Sequence, residues 1–304
     1  MKKKLIGIGV AVVATSIVIG VVWGYRPQTN DAQRTLDKNE VQENAPVQNG
    51  NSASLRETTA HKLEAEKKIP PGSYKPLGPK AYEIIRGREF RAPGDALAHV
   101  KQLIRRSEAG DATATYEIYL TIEQCQAFTS DRADELAQSA TSLGSGGWFL
   151  ERSERLLKEC ESLALDQDIY HADWLSKAAA MGSQEAMLAY AVSPQEVLGS
   201  LDEVIHDPER LAQWKENSSR YLNEMANQGN IAALGSLRRA YSYGRTRDRD
   251  PVAALAYTRV LNRINPQLYD NNDIVKAEND LTSRQRSEAL ALSEEIFKNC
   301  CISR

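Results

Sequence analysis

Histidine, cysteine, tryptophan and phenylalanine each occur only four times in 304 residues, and each scarcity narrows what the chain can be. The histidines (His61, His99, His171, His206) are scattered, and HExxH, GxSxG, CxxC and glycine-rich phosphate loops are all missing. Zinc hydrolysis, serine hydrolysis, dithiol redox chemistry and nucleotide binding therefore lack the patterns they need. Few Phe and Trp argue against an aromatic-rich β-sandwich or a multispanning membrane protein. An excess of positive charge is also lacking: 38 Lys plus Arg face 41 Asp plus Glu, a formal charge of −3. Nucleic acid is not an expected partner, because backbone phosphates demand a basic surface. The His171–Asp173 pair has no third ligand or nucleophile in a recognisable motif and reads as the start of a helix. Neighbouring carboxylates such as Asp134 with Glu135, or Glu294 with Glu295, lie on solvated helix faces and not across a cleft. The expectation is a chain with no catalytic residues, no metal and no cofactor.

What the chain does have begins with an uncharged run of 19 residues, Leu5 to Trp23, preceded by Lys2, Lys3 and Lys4. As a helix this run is roughly 28 Å long, enough to span a hydrocarbon core. The lysine cluster predicts a cytoplasmic amino terminus with the rest exported. A cleaved signal peptide is the rival, but it should end in a small-x-small site, and here the run ends Val21-Val22-Trp23-Gly24-Tyr25. Residues 1–25 are thus expected to form a retained signal-anchor helix. Residues 26–80 turn to Gln, Asn, Thr, Glu, Lys and Pro, with too little apolar surface to offset chain ordering. A disordered linker is expected there, with a root-mean-square span of about 40 Å.

From Ala81 to Arg304 apolar residues recur three and four apart, with Gly, Asp, Asn or Pro at the breaks. This predicts an all-α domain without convincing strands. Helices are expected over Ala96–Ala109, Ala112–Phe128, Arg132–Leu143, Trp148–Glu161, Ala172–Met181, Glu209–Asn227, Ile231–Tyr243, Val252–Ile264 and Arg284–Lys298. Short connections between such helices mean antiparallel hairpins. Three junctions resemble one another: Ala109-Gly110-Asp111-Ala112, Met181-Gly182-Ser183-Gln184, and Gln228-Gly229-Asn230-Ile231. In each, Gly suits the left-handed position after a helix, the polar residue suits the next N-cap, and Ala allows close helix crossing. The glycines are 72 and 47 residues apart, compatible with repeats of about 35 to 47 residues in which one junction has lost its signature.

His171 to Gly182, with Glu185, Ala186 and Tyr190, resembles the second helix of a Sel-one-like repeat, a relative of the tetratricopeptide repeat. Gly229, Ala232, Leu237, Tyr241, Gly244, Asp250, Ala253 and Tyr257 fit the same pattern across a further unit. Ala140–Leu165 and Val192–Glu209 do not keep the period. The resemblance implies a short, irregular α-solenoid that binds protein along one face and needs no cofactor. Trp174, Tyr221, Tyr241 and Tyr257 are expected to be packing residues of the stacked pairs.

Two further features call for chemistry. In an exported domain thiols oxidise, and a Cys125–Cys160 bridge would close a loop of 35 residues, although four cysteines allow three connectivities. Adjacent Cys300 and Cys301 could be free, intermolecular or paired elsewhere. Arg238, Arg239, Arg245, Arg247 and Arg249 gather around Tyr241 and Tyr243, on a folded part with 26 basic and 34 acidic residues. Arg238, Arg239, Tyr241, Tyr243 and Arg245 are the candidate partner-binding residues, since arginine forks match carboxylates. Asp248 and Asp250 stand in the same stretch and could neutralise the patch instead. Together these features predict a single-pass protein of a bacterial inner membrane, N-in, whose periplasmic repeat domain binds an envelope protein or peptide. The alternative is a cell-envelope hydrolase, or a regulator of one, on an irregular helical fold.

Overall fold

In a computed structural model the described residues are 73–85, 91–129, 138–244 and 246–302. The apolar run Leu5–Trp23 lies outside them, and no helix among the described residues is long and apolar enough to cross a membrane. Arg245 and the first half of the expected Arg132–Leu143 helix also lie outside.

The described part is mostly helical. A hairpin of β1 (Tyr74–Pro76) and β2 (Tyr82–Ile84) precedes α1 (Ala96–Glu108), α2 (Ala112–Thr129), α3 (Gly146–Leu165) and α4 (Gln167–Tyr170). There follow α5 (Trp174–Ala180), α6 (Gln184–Val192), α7 (Pro194–Leu198), α8 (Leu201–His206) and α9 (Pro208–Asn227). The last are α10 (Ile231–Tyr243), α11 (Pro251–Ile264), α12 (Asn271–Glu278) and α13 (Ser283–Cys301).

The three glycine junctions explain the architecture. Gly110, Gly182 and Gly229 have φ of 92°, 89° and 90°, a region open to a residue without Cβ. The following residue then caps the next helix through its side chain: Asp111 accepts from Ala114 N at 2.9 Å, Ser183 from Ala186 N, and Asn230 from both Ala232 N and Ala233 N. Each cap satisfies amide donors that the first turn of a helix leaves open. The junctions join α1 to α2, α5 to α6 and α9 to α10, and each pair packs together. Pair then packs on pair: α2 against α5, α6 against α9, α10 against α11, and α11 against α13.

Burial follows the same order. The main core contains Leu175, Met187, Leu222, Met225, Leu234 and Leu237, all at most 2% exposed, from α5, α6, α9 and α10. At about 1.5–3 kcal/mol for each fully buried Leu or Met, this seam outweighs any single polar contact in the molecule. A second core joins α1, α2 and α3 through Val100, Leu103, Ile118, Ile122 and Leu163. Tyr221 is buried, while Trp174, Tyr241 and Tyr257 are half-buried and packed against these cores.

The β-hairpin corrects the expectation of a strand-free chain, and β1 falls in the stretch assigned to the linker. β1 and β2 pair antiparallel, Tyr74 opposite Ile84 and Pro76 opposite Tyr82. Three-residue strands are too short to show an alternating pattern in the sequence. What orders them is tertiary. Tyr82 is 2% exposed and its amide donates to Gly229 O at 2.9 Å. Its hydroxyl donates to Gln184 Oε1, and Gln184 in turn donates to Gln228 Oε1. Burial pushes the Tyr82 phenol well above the ordinary tyrosine range. Lys80 Nζ donates to Asn299 O at 3.0 Å, so the hairpin touches the α9–α10 junction and the end of α13 together.

Candidate partner-binding face

The face grows out of how α10 ends and α11 begins. Gly244 takes φ 71° after Tyr243, which stops α10 and turns the chain back. The returning Asp250 amide donates to Tyr241 O at 2.9 Å, and the Asp250 carboxylate accepts from Val252 N and Ala253 N, each at 3.0 Å. Pro251, without an amide hydrogen, fits the first position of α11. This closed turn holds Arg247 over the Tyr241 ring, guanidinium carbon 4.6 Å from the centroid, while Nη1 donates to the Tyr241 hydroxyl. Tyr241 stacks on Tyr257 of α11, centroids 5.7 Å apart at 20°. Burial, and then the neighbouring Tyr241, push the Tyr257 phenol up to about 12, so it stays neutral across the physiological range.

In front of this stack is an open cleft of about 520 Å³ lined by Tyr241, Arg247, Asp248, Arg249, Asp250 and Gln285, among others. Tyr243 stands on the same turn and is 72% exposed. Arg91, Arg106, Arg259, Arg263 and Arg284 each meet a carboxylate. Arg238, Arg239, Arg247 and Arg249 form no such ion pair among the described residues, although Asp248 and Asp250 are close in sequence. Neither aspartate makes a close ion pair with these arginines among the described residues. Asp250 serves as a helix cap instead.

The expected site residues divide. Tyr241 lines the cleft and Tyr243 does not, standing exposed at the end of α10, whereas Arg238 lies over the Tyr269 ring at 5.8 Å and Arg239 donates to Ser236 Oγ at 3.2 Å. Arg247 and Arg249, part of the same arginine cluster but not among the candidate residues, are the arginines that reach the cleft. The signal available in the sequence was the capping role of an Asp before Pro at a helix start, which takes Asp250 out of the charge balance.

The other candidates are used locally. His171 Nε2 lies 3.0 Å from Gln167 Oε1, and the Asp173 carboxylate accepts from Ser176 N at 3.0 Å, capping α5. Cys125 and Cys160 form a disulfide between α2 and α3, Cα atoms 5.6 Å apart. Beside it, Arg91 pairs with Glu159 at 2.7 Å and also donates to Gly94 O. Cys300 and Cys301, left open by the sequence, are bonded to each other, and both are buried.

No family model matches the chain, and no curated protein matches it. Among solved structures it is similar to a protective antigen present in uropathogenic Escherichia coli strains and displaying an SLR fold. The identity is 18% and the TM-score 0.32, over 66% of this chain. The chain spans 40% of that antigen's length.

Proposed function

We propose that the chain is a membrane-tethered helical-repeat scaffold that binds a protein partner of the bacterial envelope and catalyses no reaction of its own. The observation that carries this reading is the α10–α11 turn. Arg247 and Arg249 line an open cleft there without forming an ion pair with a carboxylate among the described residues, and the exposed Tyr243 ends the helix before it. Exposed Tyr and Arg on a rigid frame are the residues that carry binding energy at protein interfaces. The uncharged run Leu5–Trp23 behind Lys2–Lys4 supports an anchor with its amino terminus in the cytoplasm and the helical part in the periplasm. Tethering raises the effective concentration of the face toward other envelope proteins, so a weak contact suffices.

The test is site-specific photocrosslinking in intact cells with a benzophenone amino acid in place of Tyr243, and in place of Leu165 as a control. Leu165 is 79% exposed on the far core. A single reproducible protein adduct from position 243, without its counterpart from 165, supports the reading. Adducts from neither position, or equal adducts from both, contradict it.

A further inference from the structure

We propose that the cleft at the α10–α11 turn receives a carboxylate of an acidic peptide segment of the partner, gripped by Arg247. This rests on the scaffold reading above and adds the chemistry of what that scaffold binds. Arg247 is fixed before any partner arrives: its guanidinium is stacked on Tyr241, and Nη1 is held by the Tyr241 hydroxyl. Tyr241 is in turn backed by Tyr257. Its Nε is buried with no hydrogen-bond partner, and Nη2 makes no hydrogen bond to the described residues. With Nη1 taken by Tyr241 and Nε closed off from solvent, Nη2 is the donor left for a partner, and a carboxylate is the acceptor a guanidinium binds most strongly.

Arg91 and Arg259 show the alternative arrangement within the same molecule. They too carry a buried Nε without a partner, yet each has a glutamate at its end, Glu159 and Glu278. Arg247 has the same guanidinium and no glutamate among the described residues. An acidic side chain from outside would supply it.

The lining also defines what is not recognised. Asp248 and Asp250 stand beside Arg247 and Arg249, so the cleft is formally balanced and offers one oriented donor group, with no broad positive field. Polyanions that bind by counterion release need many cations in a row. A single well-placed carboxylate needs one. Exposed Tyr243, at the end of α10, offers an apolar ring surface near the same turn.

The experiment uses the full chain in detergent micelles and a pool of twelve-residue peptides with a fixed central Glu in random context, against a matched pool with Gln there. The expected result is enrichment of the Glu pool by roughly tenfold or more, the scale of one charge-assisted contact. That enrichment should be lost in Arg247→Gln and in Arg247→Lys, which keeps charge but not the guanidinium, and kept in Arg105→Gln, on the exposed side of α1. Thermal unfolding of each variant at the wild-type midpoint shows that the fold is intact. Equal enrichment of both pools, enrichment that survives Arg247→Gln, or displacement of the Glu pool by heparin overturns the inference. The Tyr243 crosslink separates the two claims. An adduct that persists in Arg247→Gln leaves the scaffold standing and removes the carboxylate grip, whereas absence of any adduct in the wild-type chain removes the scaffold.

Discussion

Replacing Cys125 and Cys160 together by Ala should destabilise the α1–α3 part far more than loss of two small side chains would. The bridge closes 35 residues. In the chain-entropy treatment a loop of that length restricts the unfolded chain by about 4 kcal/mol at 25 °C. Both sulfurs are buried, at 0% and 2% exposure, against Val100, Ile118 and Leu163. Swapping thiol for methyl there adds on the order of 1 kcal/mol of lost packing. Because Cys300–Cys301 is reduced by the same reagents, the double alanine variant isolates the bridge better than reductant does. Urea unfolding of the oxidised full chain in micelles, followed by tyrosine and tryptophan fluorescence, should show an early transition in the variant that is missing in the wild type. Amide exchange would locate that transition in α1, α2 and α3. A loss below about 1 kcal/mol would refute the reasoning, because the loop-closure contribution could not then be present. So would labelling of Cys125 or Cys160 by a maleimide in the denatured but unreduced chain.

Three further outcomes follow from the same geometry. Gly229→Ala should cost more than about 2 kcal/mol in chemical unfolding, since a Cβ there would lie 2.5 Å from Lys80 O and 2.9 Å from Cys300 O at a φ of +90°. Gly110→Ala, with a similar φ and nothing within 4 Å, should cost only about 1 kcal/mol. Arg91→Met should destabilise by about 3 kcal/mol, because it leaves Glu159, whose side chain is 12% exposed, without its partner; an unfolding midpoint equal to wild type would contradict this. The hydrogen bond from Ser162, and then that from the Ala98 amide, hold the Asp95 carboxyl below its ordinary 3.8. Its contribution is therefore present above that value and fades as pH falls through the depressed folded-state value. Thermal scans should show stability falling in that acid window, with a shallower fall in Asp95→Asn; identical slopes would show that the bond contributes nothing.

The parts of the fold legible in the sequence were those set by local rules. Gly110-Asp111, Gly182-Ser183 and Gly229-Asn230 announce helix end and helix start by backbone freedom and capping alone, and Ile231–Tyr243 has the bounds its periodicity predicts. The short helices Pro194–Leu198, Leu201–His206 and Asn271–Glu278 were not foreseen, because five to eight residues give too few turns for a period to register. The β-hairpin was not foreseen for a different reason. Its order comes from Gly229, Gln184 and Asn299, between 102 and 219 residues distant in sequence for the side-chain contacts. At the candidate face, composition pointed to Arg238 and Arg239, whereas the cleft is lined by Arg247 and Arg249. Counting charges treated Asp250 as a counter-ion, whereas the backbone amides of Val252 and Ala253 claim its carboxylate first. That left Arg247 beside Tyr241 as the group to watch.

The central claim, that this chain binds a partner with the α10–α11 face, is tested most directly by hydrogen–deuterium exchange on the full chain with and without the protein crosslinked through position 243. The account predicts slowed exchange across 238–252 and little change in α1–α3. Protection confined to α3, or no protection anywhere, would contradict it.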